Sequence, residues 1–265
     1  MTTVLDILKT LEAAAPLSLA ADFDNPGFLV GRGGSEVSKV LVALDITGAV
    51  IDEAIAKGAE LIVSHHPVIF GSISSVTDCD VTGRLVSRMI ENGISAICMH
   101  TNLDFARGGV NDILAELLEL SDVSPVEPME DGMVGGGRIG TLPNEKKLSE
   151  FLPEICGKLS CQGVRYYDAA RPVRKVAVGG GSCGEYVKLA VKLGCDTLVT
   201  SDIKHNQFLD ARELSINVID AGHFETENIV CPRICEIIRA DFPELSVEVA
   251  EKNLAPASYF TVFER

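Results

Sequence analysis

The adjacent histidines His65 and His66 are the residues of this sequence whose types and spacing point first to metal chemistry. They follow an apolar run in the stretch LIVSHHPVIF (61–70), and Pro67 biases the residue before it toward an extended conformation. We interpret the run as a buried strand that stops at its carboxyl end. Side chains on a regular strand alternate between its two faces, so neighbouring histidines can reach one cleft only just past the strand end.

The other three histidines also stand beside predicted strand ends. His100 follows AICM, His205 follows TLVTSD, and His223 follows NVID. Two carboxylates complete the pattern, because Asp104 lies four residues after His100 and Glu227 lies four residues after His223. Residues four apart on a helix are neighbours on one face, so His223 and Glu227 can bind an ion together.

Three imidazoles and two carboxylates make up the predicted metal ligands, which are His65, His66, Asp104, His223 and Glu227. This ligand set suits borderline divalent ions such as Zn, Fe, Mn or Co. Adjacent histidines cannot easily bind the same ion, so we predict two divalent metal ions per chain, with carboxylates bridging them. The unassigned His100 and His205 are candidates for proton transfer or for orienting a ligand, and capping of a strand-end loop is the alternative.

Strand-like apolar runs alternate with helical patterns along the chain, which is typical of α/β architecture with parallel strands. The runs cover 40–44, 61–63, 94–99, 176–178, 197–200 and 216–219. KVLVALDITGAVIDEAIAKGAELIVSHH from Lys39 aligns without gaps with KVAVGGGSCGEYVKLAVKLGCDTLVTSD from Lys175. The match predicts two similar α/β subdomains related by an internal pseudo-repeat, with the metal site in the cleft between them, where the carboxyl ends of strands meet.

The predicted domain boundaries follow from this repeat. We predict an N-terminal α/β subdomain over residues 1–120 and a C-terminal α/β subdomain over residues 141–265. The segment between them, 121–140, is rich in Pro, Gly and acidic residues and is predicted to be a linker or mobile loop.

Charge and composition narrow the classes of partner. The 265-residue chain has a formal net charge of −15, whereas binding to nucleic acid or to an anionic membrane normally needs a basic face. Its N-terminus lacks a basic leader, and no apolar run approaches the roughly 20 residues that span a bilayer. The eight cysteines form no CxxC pair and are interpreted as reduced thiols. We therefore expect a cytoplasmic protein with no nucleic-acid partner and no membrane partner.

Motifs along nearly the whole chain resemble the interacting-factor-three-like dinuclear metal proteins, whose members are often named type 2 GTP cyclohydrolase I homologues. These motifs are FDNPGFLVG (23–31), SHHP (64–67), HTNLD (100–104), GRIG (137–140) and DAGHFETE (220–227). Motif by motif, the family's metal ligands fall on the five residues predicted above. The resemblance also implies a ring-shaped homohexamer.

The chain differs from its relatives in having Phe23 where they usually carry Trp, in its C-terminal NLAPASYF, and in lacking a large domain inserted between the halves.

Paired metal ions favour hydrolysis, because two ions about 3.5–4 Å apart lower the pKa of bound water and stabilise both the attacking and the leaving oxygen. We therefore predict a dinuclear metal-dependent hydrolase of a small molecule. The resemblance implies a nucleotide substrate and GTP cyclohydrolase-like ring opening. Hydrolysis of a phosphoester or of another nucleotide stays open.

Two other functions also stay open. Gly179, Gly181 and Gly184 match GxGxxG directly after a predicted strand, and Asp202 ends the next strand, so a dinucleotide-binding protein is one alternative. In the metal hypothesis the same loop binds an anionic group of the substrate through backbone amides. A metal-binding scaffold or regulator without catalysis is the other alternative. Five ligands on two ions leave coordination positions open, which favours an enzyme, because structural sites are closed.

Overall fold

The computed structural model describes residues 1–129 and 132–260 of the chain. The strands in these residues are β1 (Gly27–Val30), β2 (Lys39–Ala43), β3 (Leu61–Ser64), β4 (Ser95–Cys98), β5 (Ser121–Ser124), β6 (Glu127–Pro128), β7 (Gly135–Gly136), β8 (Arg138–Lys146), β9 (Arg165–Tyr167), β10 (Val173–Val178), β11 (Thr197–Thr200), β12 (Asn217–Asp220) and β13 (Ser246–Val249). The α-helices are α1 (Val4–Ala14), α2 (Gly48–Lys57), α3 (Val81–Glu91), α4 (Thr101–Phe105), α5 (Val110–Leu117), α6 (Leu148–Leu159), α7 (Tyr186–Lys192), α8 (His205–Leu214), α9 (His223–Glu227) and α10 (Cys231–Asp241). The predicted α/β class is confirmed.

The chain divides into two compact units, which are Met1–Gly109 with Val230–Leu254, and Val110–Ile229 with the residues from Ala255 onward. The first unit contains a five-stranded sheet in the order β1-β4-β3-β2-β13. Strands β4, β3, β2 and β13 are parallel, and β1 is antiparallel at the edge. Because helices cover such a sheet, its central strands are apolar on both faces, and every residue of β3 is buried.

The second unit contains a six-stranded sheet in the order β5-β8-β10-β11-β12-β9. Its central strands β10, β11 and β12 are parallel to one another. Strands β8 and β9 flank them and run antiparallel to β10 and β12, and the edge strand β5 runs antiparallel to β8. Residues alternate between the two faces of the central strands. Val199 and Ile219 belong to one buried cluster, and Leu198 and Val218 belong to another, so apolar groups pack against both faces of this sheet.

The two stretches that align in the sequence form the same local structure in their respective units. The first forms β2, α2 and β3, with Val40 paired to Leu61 across parallel strands. The second forms β10, α7 and β11, with Val176 paired to Thr197. A glycine with positive φ ends the turn before the second strand in each, Gly58 at +65° and Gly194 at +78°. Glycine suits this turn because it adopts positive φ without steric cost.

The segment 121–140, predicted to be a linker or mobile loop, contains β5, β6, β7 and the start of β8. Its residues 130 and 131 lie outside the described residues. Strand β8 pairs along β10, and the motif GRIG (137–140) spans its first residues. Over residues 1–129 and 132–260, the helices are all too short or too polar to cross a membrane.

Candidate metal-binding residues

In the first unit, His65 and His66 directly follow β3, as the apolar run predicts. The parallel hydrogen-bonding pattern continues past the strand, because the amides of His65 and His66 donate to the carbonyls of Ala43 and Leu44 at 3.2 and 2.8 Å. Their ring centroids are 5.1 Å apart. The backbone of both histidines is thus fixed by the sheet, and both rings lie at the carboxyl edge where sites form in α/β proteins.

Each of these two rings is held through its Nδ1 atom. The Nδ1 of His65 is 2.7 Å from the carbonyl oxygen of Met99, which can only accept, so this nitrogen carries the proton. The Nδ1 of His66 is 2.8 Å from Oδ1 of Asp45, again an acceptor. In a neutral imidazole the other nitrogen, Nε2, then carries the lone pair. Both histidines therefore present Nε2 as a metal-binding atom.

His100 stands with this pair and has the same arrangement. Its Nδ1 is 2.6 Å from Oδ1 of Asp24, a carboxylate that also accepts from the amide of Thr101 at 3.0 Å. Burial would raise the pKa of Asp24, but hydrogen bonds from His100 and Thr101 outweigh it and hold that pKa well below its usual range. One ring nitrogen from each of His65, His66 and His100 lies within 4.8 Å of the others, so this group of three can hold a metal ion.

Asp104 lies on the short helix α4, which begins directly after His100. Its Oδ1 is 3.5 Å from Nε2 of His65, and the His65 side chain is fully buried. The carboxylate and the imidazole lone pair therefore face each other. A cation between them could bind to both groups.

In the second unit, His223 and Glu227 are neighbours on the short helix α9, as their spacing predicts. The Nε2 of His223 is 2.9 Å from Oε2 of Glu227, and its Nδ1 is 2.7 Å from Oδ2 of Asp202. The Glu227 side chain is buried, with 5% of it exposed. A metal ion bound by Nε2 of His223 and Oε2 of Glu227 would balance the negative charge of the two carboxylates beside this imidazole.

The donor sets of both units therefore fit divalent metal ions. Each of the four histidines places Nδ1 on a carbonyl or carboxylate acceptor. Histidine ligands of metal sites almost always have this second interaction, because it fixes the tautomer and the ring orientation. Imidazole nitrogen together with carboxylate oxygen is the ligand chemistry of Zn, Fe, Mn and Co sites.

The loop Gly179–Gly184 follows β10 in the second unit and packs against the ligand helix. The amide of Gly180 donates to Oδ1 of Asn111 at 2.9 Å, and the amide of Gly181 donates to Oγ1 of Thr226 at 3.1 Å. A Cβ atom on Gly181 would lie 2.1 Å from Oε1 of Glu227, and one on Gly184 would lie 2.3 Å from Oε1 of Gln207. The absence of a side chain at Gly181 thus leaves room for the Glu227 carboxylate, and its absence at Gly184 leaves room for the Gln207 side chain.

His205 has a different setting. It is the first residue of α8, it is exposed, and it belongs to none of the metal-ligand groups found in residues 1–129 and 132–260. The structure brings His100 to the other histidines of its unit and leaves His205 outside such a group.

Three acidic residues that orient histidines were not assigned this role from the sequence. They are Asp24 on His100, Asp45 on His66 and Asp202 on His223. The signals that could have indicated them are positional, because Asp45 and Asp202 follow β2 and β11, and Asp24 belongs to the FDNPGFLVG motif.

Comparison with known proteins identifies the family. The family model for DUF34/NIF3 (NGG1p interacting factor 3) matches residues 2–256. This chain belongs to the DUF34/NIF3 family. It is 36% identical over 240 residues to a Clostridium perfringens protein named GTP cyclohydrolase 1 type 2 homolog, a match that covers 88% of this chain and 90% of the relative. A Streptomyces coelicolor protein of the same name is 34% identical over 253 residues, with 93% and 87% covered.

Solved structures agree with this assignment. The fold is similar to that of Staphylococcus aureus protein SA1388, with a TM-score of 0.90 and 28% identity over 98% of this chain and 99% of that one. It is also similar to a Bacillus cereus protein related to NIF3, with a TM-score of 0.91 over 99% of both chains. At 23% identity the second likeness supports the fold alone. The family resemblance inferred from the motifs is confirmed.

Proposed function

We propose that this DUF34/NIF3 chain is a dinuclear divalent-metal-dependent hydrolase. The proposed ligands of the two ions are His65, His66, Asp104, His223 and Glu227. The observation that carries the proposal is the shared arrangement of the histidines, in which a carbonyl or carboxylate acceptor holds Nδ1 and so makes Nε2 the nitrogen with the lone pair. Zn, Fe, Mn and Co are the ions that this donor set fits.

Bound divalent ions supply Lewis acidity and lower the pKa of coordinated water. The protein's own part is to orient the ligands and to move protons. His100 is the proposed proton-transfer residue, because the ionised Asp24 holds its Nδ1–H and stabilises the ring when Nε2 accepts a proton. His205 is a second candidate for proton transfer, and its exposure allows exchange of protons with solvent.

The proposed substrate is a small molecule of the nucleotide class. The relatives from Clostridium perfringens and Streptomyces coelicolor are named GTP cyclohydrolase 1 type 2 homolog. This name supports GTP cyclohydrolase-like ring opening as one reaction. Phosphoester hydrolysis is the other reaction that paired metals favour. Gly179, Gly181 and Gly184 stay the proposed substrate-binding loop.

The proposal includes the larger organisation predicted from the sequence. The equal strand registers of β2 with β3 and of β10 with β11 support the internal pseudo-repeat. On that basis we propose two related α/β subdomains with the metal site in the cleft between them. A homohexamer and a cytoplasmic location complete the proposal. Light scattering tests the assembly, and a 28 kDa species at micromolar concentration would contradict it.

Elemental analysis combined with turnover assays tests the function. Protein purified without added metal is analysed for Zn, Fe, Mn and Co, and is then assayed against a panel of nucleotides and phosphoesters. We expect turnover to rise with metal content. Metal binding without turnover of any member of the panel would favour a non-catalytic scaffold or regulator. Saturable binding of NAD that survives metal removal and is lost in Asp202→Ala would favour the dinucleotide alternative.

A further inference from the structure

Two phenyl rings are exposed beside the histidine group of the first unit. Phe23 is 70% exposed and Phe70 is 53% exposed, and their ring centroids are 6.4 Å apart. Single exposed apolar residues are common on protein surfaces, but adjacent exposed aromatic rings forgo the stabilisation that burial would give. This aromatic pair therefore points to a bound partner.

The aromatic pair is held on a fixed framework. The side-chain amide of Asn25, two residues after Phe23, donates to the carbonyl of Ile69, which directly precedes Phe70, at 2.7 Å. This bond joins the two chain segments that carry the rings. Asp24, between Phe23 and Asn25, has a fully buried side chain that is bonded to His100. A site whose backbone is already ordered loses less entropy when a ligand binds.

The aromatic pair also adjoins the candidate metal ligands of its own unit. The ring of Phe70 stands edge-to-face with the ring of His100, with centroids 6.0 Å apart and planes at 78°. A ring nitrogen of His100 lies within 4.8 Å of one from His65 and one from His66. A molecule that rests on the phenyl rings would therefore have its edge near the nitrogen atoms proposed to carry metal.

We propose that Phe23 and Phe70 form a stacking site for the planar heteroaromatic ring of the substrate, such as a nucleobase. This inference rests on the proposed hydrolase function and narrows its substrate class. The planes of the two rings meet at 49°, so a flat ring can stack on one phenyl face and contact the edge of the other. Stacking accepts different bases, because every base has a π-face.

Charge favours a base over a phosphate at this position. Neither phenyl ring carries charge, and the chain as a whole has a formal net charge of −15. A phosphate group on the aromatic pair would gain no charge interaction from the rings and would be disfavoured by the acidic chain, whereas a neutral base is not. The phosphate of a nucleotide would then have to be bound away from the rings.

Calorimetry with uncharged nucleosides tests the stacking site directly. We expect adenosine and guanosine to bind the metal-loaded protein saturably, and ribose, which lacks the base, not to bind. Phe70→Leu and Phe23→Leu keep an apolar side chain but remove the ring, so each should weaken nucleoside binding about tenfold, equivalent to about 1.4 kcal/mol. Phe23→Trp enlarges the stacking surface and should tighten binding. Phe260→Leu alters another phenylalanine, one that is 91% exposed, and should leave binding unchanged.

Metal content and turnover, measured on the same samples, separate this inference from the proposed function. Ring-dependent nucleoside binding without any turnover would refute the hydrolase and leave the stacking site standing. Turnover without nucleoside binding, or nucleoside binding that both Leu variants retain, would overturn the stacking site. A second copy of this chain is the other possible occupant of the aromatic pair, and light scattering of the Leu variants tests it. A smaller assembly in these variants, together with absent nucleoside binding, would assign the aromatic pair to contacts between copies.

Discussion

Asp202 accepts a hydrogen bond from Nδ1 of His223 at 2.7 Å, and its backbone adopts a left-handed conformation with φ of 51°. Positive φ is uncommon for a residue with a side chain, although aspartate tolerates it better than most. The carboxylate is more than half exposed, so burial does not explain the conformation. Backbone strain of this kind clusters at functional sites. The contact therefore indicates that Asp202 serves to orient His223.

Removal of this carboxylate should weaken metal binding. We expect Asp202→Ala to lower metal affinity about 10- to 100-fold, the usual effect of losing the partner of a histidine ligand. Competition with a chromophoric chelator measures the affinity. Asp122→Ala is the matched control, because Asp122 is also an exposed aspartate of the second unit with positive φ, at 54°. Equal losses in both variants would refute the orienting role of Asp202.

Metal stoichiometry tests the assignment of the adjacent histidines to different ions. His65→Ala and His66→Ala should each lower the bound metal from about two ions per chain toward one, as measured by elemental analysis. Glu227→Ala should weaken both ions if this carboxylate bridges them. His205→Ala is the control for loss of an imidazole, since His205 is exposed at the start of α8. Two ions retained in both histidine variants would be incompatible with the ligand assignment.

The elements that the sequence predicts well are those whose pattern is local. The apolar run 197–200 coincides with β11, and the run 61–63 lies within β3. Strand β13 shows what local patterns miss, because Ser246–Val249 pairs with β2, some 200 residues earlier in the chain. The antiparallel strand β8 was missed for a related reason, since it starts inside a segment whose Pro, Gly and acidic content is typical of a linker.

The same distinction holds for the candidate site. The neighbours His223 and Glu227 follow from helical spacing and lie 2.9 Å apart. The partners of the other histidines are distant in sequence, because Asp45 precedes His66 by 21 residues and Asp24 precedes His100 by 76. No spacing rule connects such residues, since strands and loops of unequal length bring them together. Candidate ligands are therefore readable from the sequence, whereas the contacts that orient them need the fold.

The buried Glu53 predicts a pH dependence of stability in the first unit. Its carboxylate accepts from the amides of Glu251 and Lys252 at 2.9 and 2.8 Å and pairs with Lys57 at 2.9 Å. Burial raises the pKa of Glu53, but these contacts outweigh it and lower that pKa below the ordinary 4.5. A lowered pKa in the folded state stabilises the protein above pH 4.5, and this stabilisation is lost as the pH falls through the folded-state value.

We expect Glu53→Gln to lower the free energy of unfolding by about 2 kcal/mol at pH 7, because the new amide group faces a backbone donor. The difference from wild type should shrink as the pH falls below 4.5 and through the lowered folded-state pKa of Glu53. Urea unfolding at pH 7, 5 and 3.5 measures both effects. The control is Glu91→Gln, an exposed position where the change should stay within about 0.5 kcal/mol. A difference that does not vary with pH would mean that the charge of Glu53 contributes nothing.

Gly181 provides a test of whether the position of the Glu227 carboxylate determines metal affinity. An added Cβ would lie 2.1 Å from Oε1 of Glu227, and the backbone has a φ of +64°. Gly181→Ala should therefore displace the carboxylate and lower metal affinity at least tenfold, and the strained backbone should also cost about 1–2 kcal/mol of stability. Gly58→Ala separates the two effects, because Gly58 has a φ of +65° but no heavy atom within 4 Å of its added Cβ. It should lose similar stability and keep its metal affinity. If Gly181→Ala also keeps its metal affinity while both variants lose stability equally, Glu227 is not the ligand proposed here.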